Sequence, residues 1–237
     1  MSKGKVYLIP NTLGGEQWQV VIPQGVADAI IDLRFFVVEE IKSARRLLRK
    51  LHREFPIDDC RFVILNKRTS EDELMNVLLA LTQGESVGVI AEAGCPGVAD
   101  PGADLAYLAH SQGIEVLPLV GPSSFLLALM ASGFSGQQFS FHGYLPKERK
   151  DRIRKMKYME HDCRRNGTTH IFMDTPFRNM NVLEDLLNEL ADVTELCIAS
   201  GITTNDQRIQ TMTVLDWRDN AYDLSKIPTV FLIGKGQ

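Results

Sequence analysis

The stretch "AEAGCPGVADPG" (residues 91–102) decides how the chain folds. It follows the β-branched run "SVGVI" (86–90) and precedes "ADLAYLAHSQG" (103–113), whose apolar residues recur at helical spacing. Strand and helix are thus joined by twelve residues holding three glycines and two prolines, where a tight turn would serve. Loops of about a dozen residues are uncommon without a function, and loops leaving parallel strands are where ligands sit. Glycine lets the backbone approach a ligand closely and proline stiffens the approach. The loop is therefore expected to offer main-chain groups to a bound molecule. It is neither a P-loop, since no Gly-Lys-Ser/Thr follows, nor a GxGxxG turn.

Outward from this loop, short β-rich runs alternate with amphipathic segments. Strands are predicted at 5–10, 35–38, 61–65, 86–90 and 115–120, and helices near 43–55, 70–83, 103–112 and 123–132. Ser70, with Glu73 three residues on, has the pattern of a capping box. Such alternation implies a parallel sheet with helices on both faces. From Gly133 the pattern loosens into "GFSGQQFSFHGYLPKERKD", which reads as a linker. A second α/β set follows, with helices near 151–164 and 180–191 and strands at 169–174, 195–200, 208–214 and 229–234. The last pair of strands before the C-terminus but one has no helix between its members, so that sheet is expected to be mixed. The expected architecture is α/β with two domains, 1–133 and 151–237, joined by a linker over 134–150, and a ligand cleft between them.

Composition narrows the functions. The 237 residues are 44% hydrophobic and 24% charged, the balance of an ordinary globular chain. A formal charge of -4 disfavours a general polyanion binder, although local basic clusters can override it. Cys60, Cys95, Cys163 and Cys197 form no CxxC pair, so no metal site is expected. No apolar signal core opens the chain, and the most apolar window (116–134) is broken by prolines and glycines. These features predict a cytoplasmic protein without a membrane span.

Two further loops join the first. "LVGPSSFLLAL" (119–129) places Pro122 at a first helical position, with Ser123 and Ser124 at the helix N-terminus, which suits a small polar ligand as well as plain capping. "IPNTLGG" (9–15) ends the first strand at Pro10. In a parallel sheet all three loops empty onto one edge.

Together, "GCPGVADPG" and "LVGPSSFLLALMASGF" resemble the tetrapyrrole methylase superfamily of S-adenosylmethionine-dependent methyltransferases. The opening "GKVYLIPNTLG", the "AGxPxxxDPG" form of the loop, "FHGYLPKERKDR" and the closing "FLIGKG" resemble the branch of ribosomal RNA small subunit methyltransferase I, which methylates a cytidine ribose 2′-hydroxyl. The resemblance implies S-adenosylmethionine as cofactor, ribosomal RNA or the small-subunit particle as substrate, and a homodimer. Carried over by position, it implies cofactor contacts at Pro10, Gly94, Cys95, Pro96, Gly97, Val98, Asp100, Ser123 and Ser124. In the second domain it implies Met173, Gly201, Ile202, Thr229 and Val230. The chain departs from the branch where "EEIKSAR" (39–45) stands for "EDTR" and "GITT" (201–204) for "ELTK". A tetrapyrrole C-methyltransferase and a non-catalytic S-adenosylmethionine-binding module are the alternatives.

Methyl transfer to a hydroxyl requires a base. Glu39, Glu40, Lys42 and Asp174 lie at strand ends and are candidates, with no choice among them from sequence. Cys95 is expected to serve as backbone support rather than as a nucleophile, and His142 and His170 as structural residues. Two basic segments, "SARRLLRKLHR" (43–53) and "KERKDRIRKMK" (147–157), suit RNA phosphates, with Arg45, Arg149 and Arg152 as substrate-binding candidates.

Overall fold

The computed structural model describes residues 2–66, 71–100 and 102–236, and divides the chain into two compact units, Met1–Ser123 and Ser124–Gln237. Ser70, proposed above as a helix cap, lies outside the described residues.

Unit 1 is built on a five-stranded sheet. Its strands are β1 (Val6–Ile9), β2 (Phe35–Val38), β3 (Arg61–Ile64), β4 (Val87–Ile90) and β5 (Val116–Pro118), in the order β3-β2-β4-β1-β5, and every pairing is parallel. The runs "FFVV" and "VGVI" are buried along their whole length, as interior strands covered on both faces require. Four helices accompany them: α1 (Gln24–Ala29), α2 (Ile41–Leu51), α3 (Glu71–Thr82) and α4 (Gly102–Ser111). On α2 the buried residues Ala44, Leu47, Leu48 and Leu51 form one stripe. That stripe packs with Phe36, Val38 and Phe55. Val77, Leu81, Leu105 and Ala109 of α3 and α4 pack with Phe35, Val37 and Val89. Alternate residues of β2 thereby serve two separate cores.

Because β4, β1 and β5 are neighbours, the loops leaving these three strands emerge side by side. This adjacency makes the sequence-predicted loops one structural feature.

Unit 2 begins with α5 (Ser124–Ser132) and holds β6 (Phe139–Tyr144), α6 (Arg149–Asn166), β7 (Thr169–Met173), α7 (Asn179–Glu189), β8 (Glu195–Ser200), β9 (Arg208–Thr213), α8 (Val214–Asn220) and β10 (Thr229–Gly234). The sheet order is β6-β7-β10-β8-β9, with β6 and β7 parallel and the remaining pairs antiparallel. The sheet is mixed, as expected from sequence. Trp217 is fully buried and donates its indole N–H to the Leu196 carbonyl at 2.8 Å.

The boundaries differ from the sequence expectation. The segment read as a linker contains β6, which pairs with β7 through a bulge near Gly143, whose φ is +61°. Helix α5, expected in the first domain, packs on β7, β8, β9 and β10. Its sequence is apolar on most sides, so its pattern does not reveal which sheet it covers.

Candidate functional site

The three loops of unit 1 are joined by specific contacts. Asn11, just past β1, is buried and donates from Nδ2 to the carbonyls of Ala91 and Glu92, each at 3.0 Å. Its main chain forms a two-way bridge with Gly94 at 2.9 and 3.2 Å. A glycine suits that position, where φ is +71°. The Cys95 thiol donates to the Pro122 carbonyl at 3.3 Å, tying the long loop to the loop after β5. Burial pushes this thiol above its ordinary range, which keeps it protonated and disfavours a nucleophilic role. Asp100 folds the loop onto itself, its Oδ1 accepting from Gly97 N–H at 3.1 Å and Gly102 N–H at 2.9 Å. The side chains of Cys95 and Asp100 therefore brace the loop.

Acidic groups gather at the same sheet edge. Glu39 follows β2, and its carboxyl is pushed up to about 8, foremost by a hydrogen bond with Asp100, then by burial and by the charges of Asp100 and Glu92. Glu92 is itself raised, mainly by burial. Glu40 instead caps α2, accepting from Lys42 N–H at 2.8 Å and Ser43 N–H at 2.6 Å. Lys42 is exposed on the first turn of that helix. Sequence reasoning missed Asn11 and Glu92. The only sequence signal for either was nearness to a strand end.

Unit 2 brings its own loops together. Asn179 Nδ2 donates to the Ile227 carbonyl at 2.6 Å, Lys226 N–H to the Pro176 carbonyl at 3.2 Å, and Gly201 N–H to the Pro228 carbonyl at 2.9 Å. The turns after β7 and β8 and the segment entering β10 are thus one assembly, which includes Met173, Gly201, Ile202, Thr229 and Val230. Asp174 is buried and ion-paired with Arg178 at 2.5 Å. Among the described residues, Asp174 Oδ2, Arg178 Nη1, Asn179 Oδ1 and Thr203 Oγ1 are buried without a hydrogen-bond partner. Buried polar atoms are normally paired, so this concentration marks a place that water or a ligand completes. Thr203 also adopts φ +69°, a strained setting for a β-branched residue.

The remaining candidates separate. Arg152 is buried, with its guanidinium on Asp185 at 2.6 Å, while Arg149 binds the same carboxylate at 2.8 Å and stays mostly exposed. Arg45 is half-exposed, 3.5 Å from Asp58 and over the Phe62 ring. His142 and His170 hydrogen-bond each other at 2.8 Å, and His170 meets Asp162 at 3.0 Å. Burial, followed by the charge of Lys155, lowers His142 to about 4. Among the described residues no group of three or more His, Cys, Asp or Glu side chains is placed to hold a metal. No helix among them is long and apolar enough to cross a membrane.

A parallel sheet whose three adjacent loops are braced around glycines, followed by a mixed-sheet unit, defines a class. The chain belongs to the tetrapyrrole (corrin/porphyrin) methylases, whose family model matches residues 25–216. It is an S-adenosylmethionine-dependent methyltransferase of that family. Among curated proteins it is similar to the ribosomal RNA small subunit methyltransferase I of Vibrio cholerae, with 29% identity over 87% of this chain and 68% of that protein. It is also similar to that of Thermotoga maritima, with 30% identity over 73% and 72% of the two chains. The alignment thus spans about two thirds of these relatives' lengths. The crystal structure of the methyltransferase CobJ superimposes with a TM-score of 0.63 at 21% identity, covering 98% of this chain and 94% of that one. Uroporphyrin-III C-methyltransferase from Thermus thermophilus, complexed with S-adenosylhomocysteine, gives 0.59 at 15% identity, covering 98% of each chain. These two share the fold.

Proposed function

We propose that the chain methylates a ribose 2′-hydroxyl of small-subunit ribosomal RNA. The observation that carries this reading is the 29% identity to a ribosomal RNA small subunit methyltransferase I across 87% of the chain. The cofactor positions proposed in unit 1 are Pro10, Gly94, Pro96, Gly97, Val98 and Ser123, with Cys95 and Asp100 holding the loop's shape. In unit 2 they are Ser124, Met173, Gly201, Ile202, Thr229 and Val230. The unpartnered buried atoms beside Met173 and Gly201 support a ligand there.

Bound S-adenosylmethionine supplies a methyl group on a cationic sulfur. The acceptor hydroxyl must give up its proton as the new carbon–oxygen bond forms. Of the four candidates, Glu40 is engaged as a helix cap, Asp174 is ion-paired, and Lys42 is exposed on the helix surface. Glu39, held at about 8 chiefly by its hydrogen bond to Asp100, keeps its proton at neutral pH and becomes available as a base as the pH rises toward 8. We assign it as proton acceptor. A homodimer and a cytoplasmic location complete the proposal, on the strength of the family resemblance.

A tetrapyrrole carbon is the competing acceptor, favoured by the departures at 39–45 and 201–204. Mass-spectrometric mapping of ribosomal RNA in cells lacking the gene separates the two. Loss of one 2′-O-methyl nucleoside is expected. An unchanged map, with methyl transfer to a precorrin in vitro, would favour the tetrapyrrole. Cofactor binding with transfer to neither would leave a non-catalytic binding module.

A further inference from the structure

Two helices carry dense positive charge, and the structure distinguishes them. On α6 most of the cations are answered by acids: Arg149 and Arg152 by Asp185, Arg154 by Asp151, Lys157 by Glu189 and Arg164 by Glu160, at 2.6–3.1 Å, which leaves Lys150, Lys155 and Arg165 without an ion pair among the described residues. On α2 no acidic residue occurs between Ile41 and Leu51. Lys42, Arg46 and Arg49 recur at helical spacing and are exposed, on the side opposite the buried leucines. At 1.5 Å per residue they run along about 10 Å of the helix. Arg53, just past the helix end, extends the line, and Arg49 Nη1 donates to its carbonyl at 2.8 Å. The acids nearby lie at the two ends of the stripe, and at its start Glu92 hydrogen-bonds Ser43. Glu40 is occupied as the cap, Glu54 is 4.0 Å from a fully exposed Arg53, and Asp58 faces the flanking Arg45.

Among the described residues Lys42, Arg46 and Arg49 carry no ion pair, and such a stripe on a chain of net charge -4 is a local feature with a local use. Because α2 starts directly after Glu39–Glu40 at the carboxyl end of β2, the stripe leads outward from the edge that holds the glycine loop. We propose that Lys42, Arg46, Arg49 and Arg53 form the surface that holds the phosphate backbone of the RNA substrate, and that the ion-paired cations of α6 do not. This rests on the ribosomal RNA reading, and it locates the substrate's path on unit 1.

The test is anisotropy of a fluorescein-labelled single-stranded RNA against salt concentration. It compares the wild-type chain, a variant with all four residues changed to Gln, and an Arg154→Gln/Lys157→Gln variant. Each phosphate contact contributes about 0.7 to the log–log salt slope, so the quadruple variant is expected to flatten it by roughly 2–3 and to bind at least about tenfold more weakly. The α6 variant should match wild type. Unchanged adenosylhomocysteine affinity shows that the variants are folded, and Arg46→Gln/Arg49→Gln gives half the effect should the quadruple variant not fold. Equal slope and affinity for wild type and quadruple variant overturns the proposal, as does an equal loss in the α6 variant. The acceptor is read separately, by methyl transfer from wild-type enzyme. Stripe-dependent RNA binding without RNA methylation would sink the ribosomal RNA reading while leaving the RNA-binding surface in place.

Discussion

A Cβ placed on Gly121 would lie 2.1 Å from the Cβ of Pro10. The loop after β5 therefore touches the exit of β1 so closely that only glycine fits, and the two loops are fixed against each other by shape. Gly121→Ala should force them apart, costing about 1–3 kcal/mol of stability as an overpacked contact does. Adenosylmethionine binding should weaken with it. Thermal unfolding and calorimetry check both, and an alanine variant with wild-type affinity would show that the contact does not shape the site.

Asn11 performs the corresponding task between β1 and the long loop. Asn11→Ala leaves the Ala91 and Glu92 carbonyls without their donor, a loss of about 1–3 kcal/mol for buried groups. Protection of the 91–97 amides in hydrogen exchange should fall, whereas amides of unit 2 should keep theirs.

How much of this was legible in the sequence depended on where the deciding partner lay. The glycine loop declares itself through composition, and β2, β4, β8 and β10 through unbroken apolar runs. Asn11 reads as an ordinary turn residue, because its partners lie 80 and 81 positions away. The edge strand β6 is interrupted by Gly143 and acquires its identity from pairing with β7. Arg152 has the spacing of a surface charge, and only the fold brings up Asp185 to bury it.

The raised carboxyl of Glu39 gives a pH signature. Unfolded, it loses its proton near 4.5; folded, it keeps it up to about 8. Its contribution to stability is thus full below about 4.5, declines as pH rises, and is gone above about 8. Glu39→Gln should flatten the fall in stability across that window in pH-dependent melts. A bound sulfonium should favour loss of the same proton, so adenosylmethionine should bind more tightly toward pH 8, with neutral adenosylhomocysteine showing less change. Identical pH profiles for wild type and variant would count against a raised Glu39 carboxyl.

Buried Asp174 and partly buried Arg178 form a pair whose members depend on each other. Arg178→Gln strands a buried carboxylate, a change worth about 3–5 kcal/mol. Adding Asp174→Asn should recover part of it. Chemical denaturation of the two single variants and the double variant gives the coupling, and simple additivity would show that the pair is energetically idle.

The most direct measurement of the central claim is transfer of labelled methyl from adenosylmethionine to purified small ribosomal subunits that lack the modification, followed by nucleoside analysis. The expected result is label in a 2′-O-methylated nucleoside of the RNA, lost in Glu39→Gln while adenosylhomocysteine binding persists. Label absent from the RNA, or found on a base carbon or nitrogen, would contradict it.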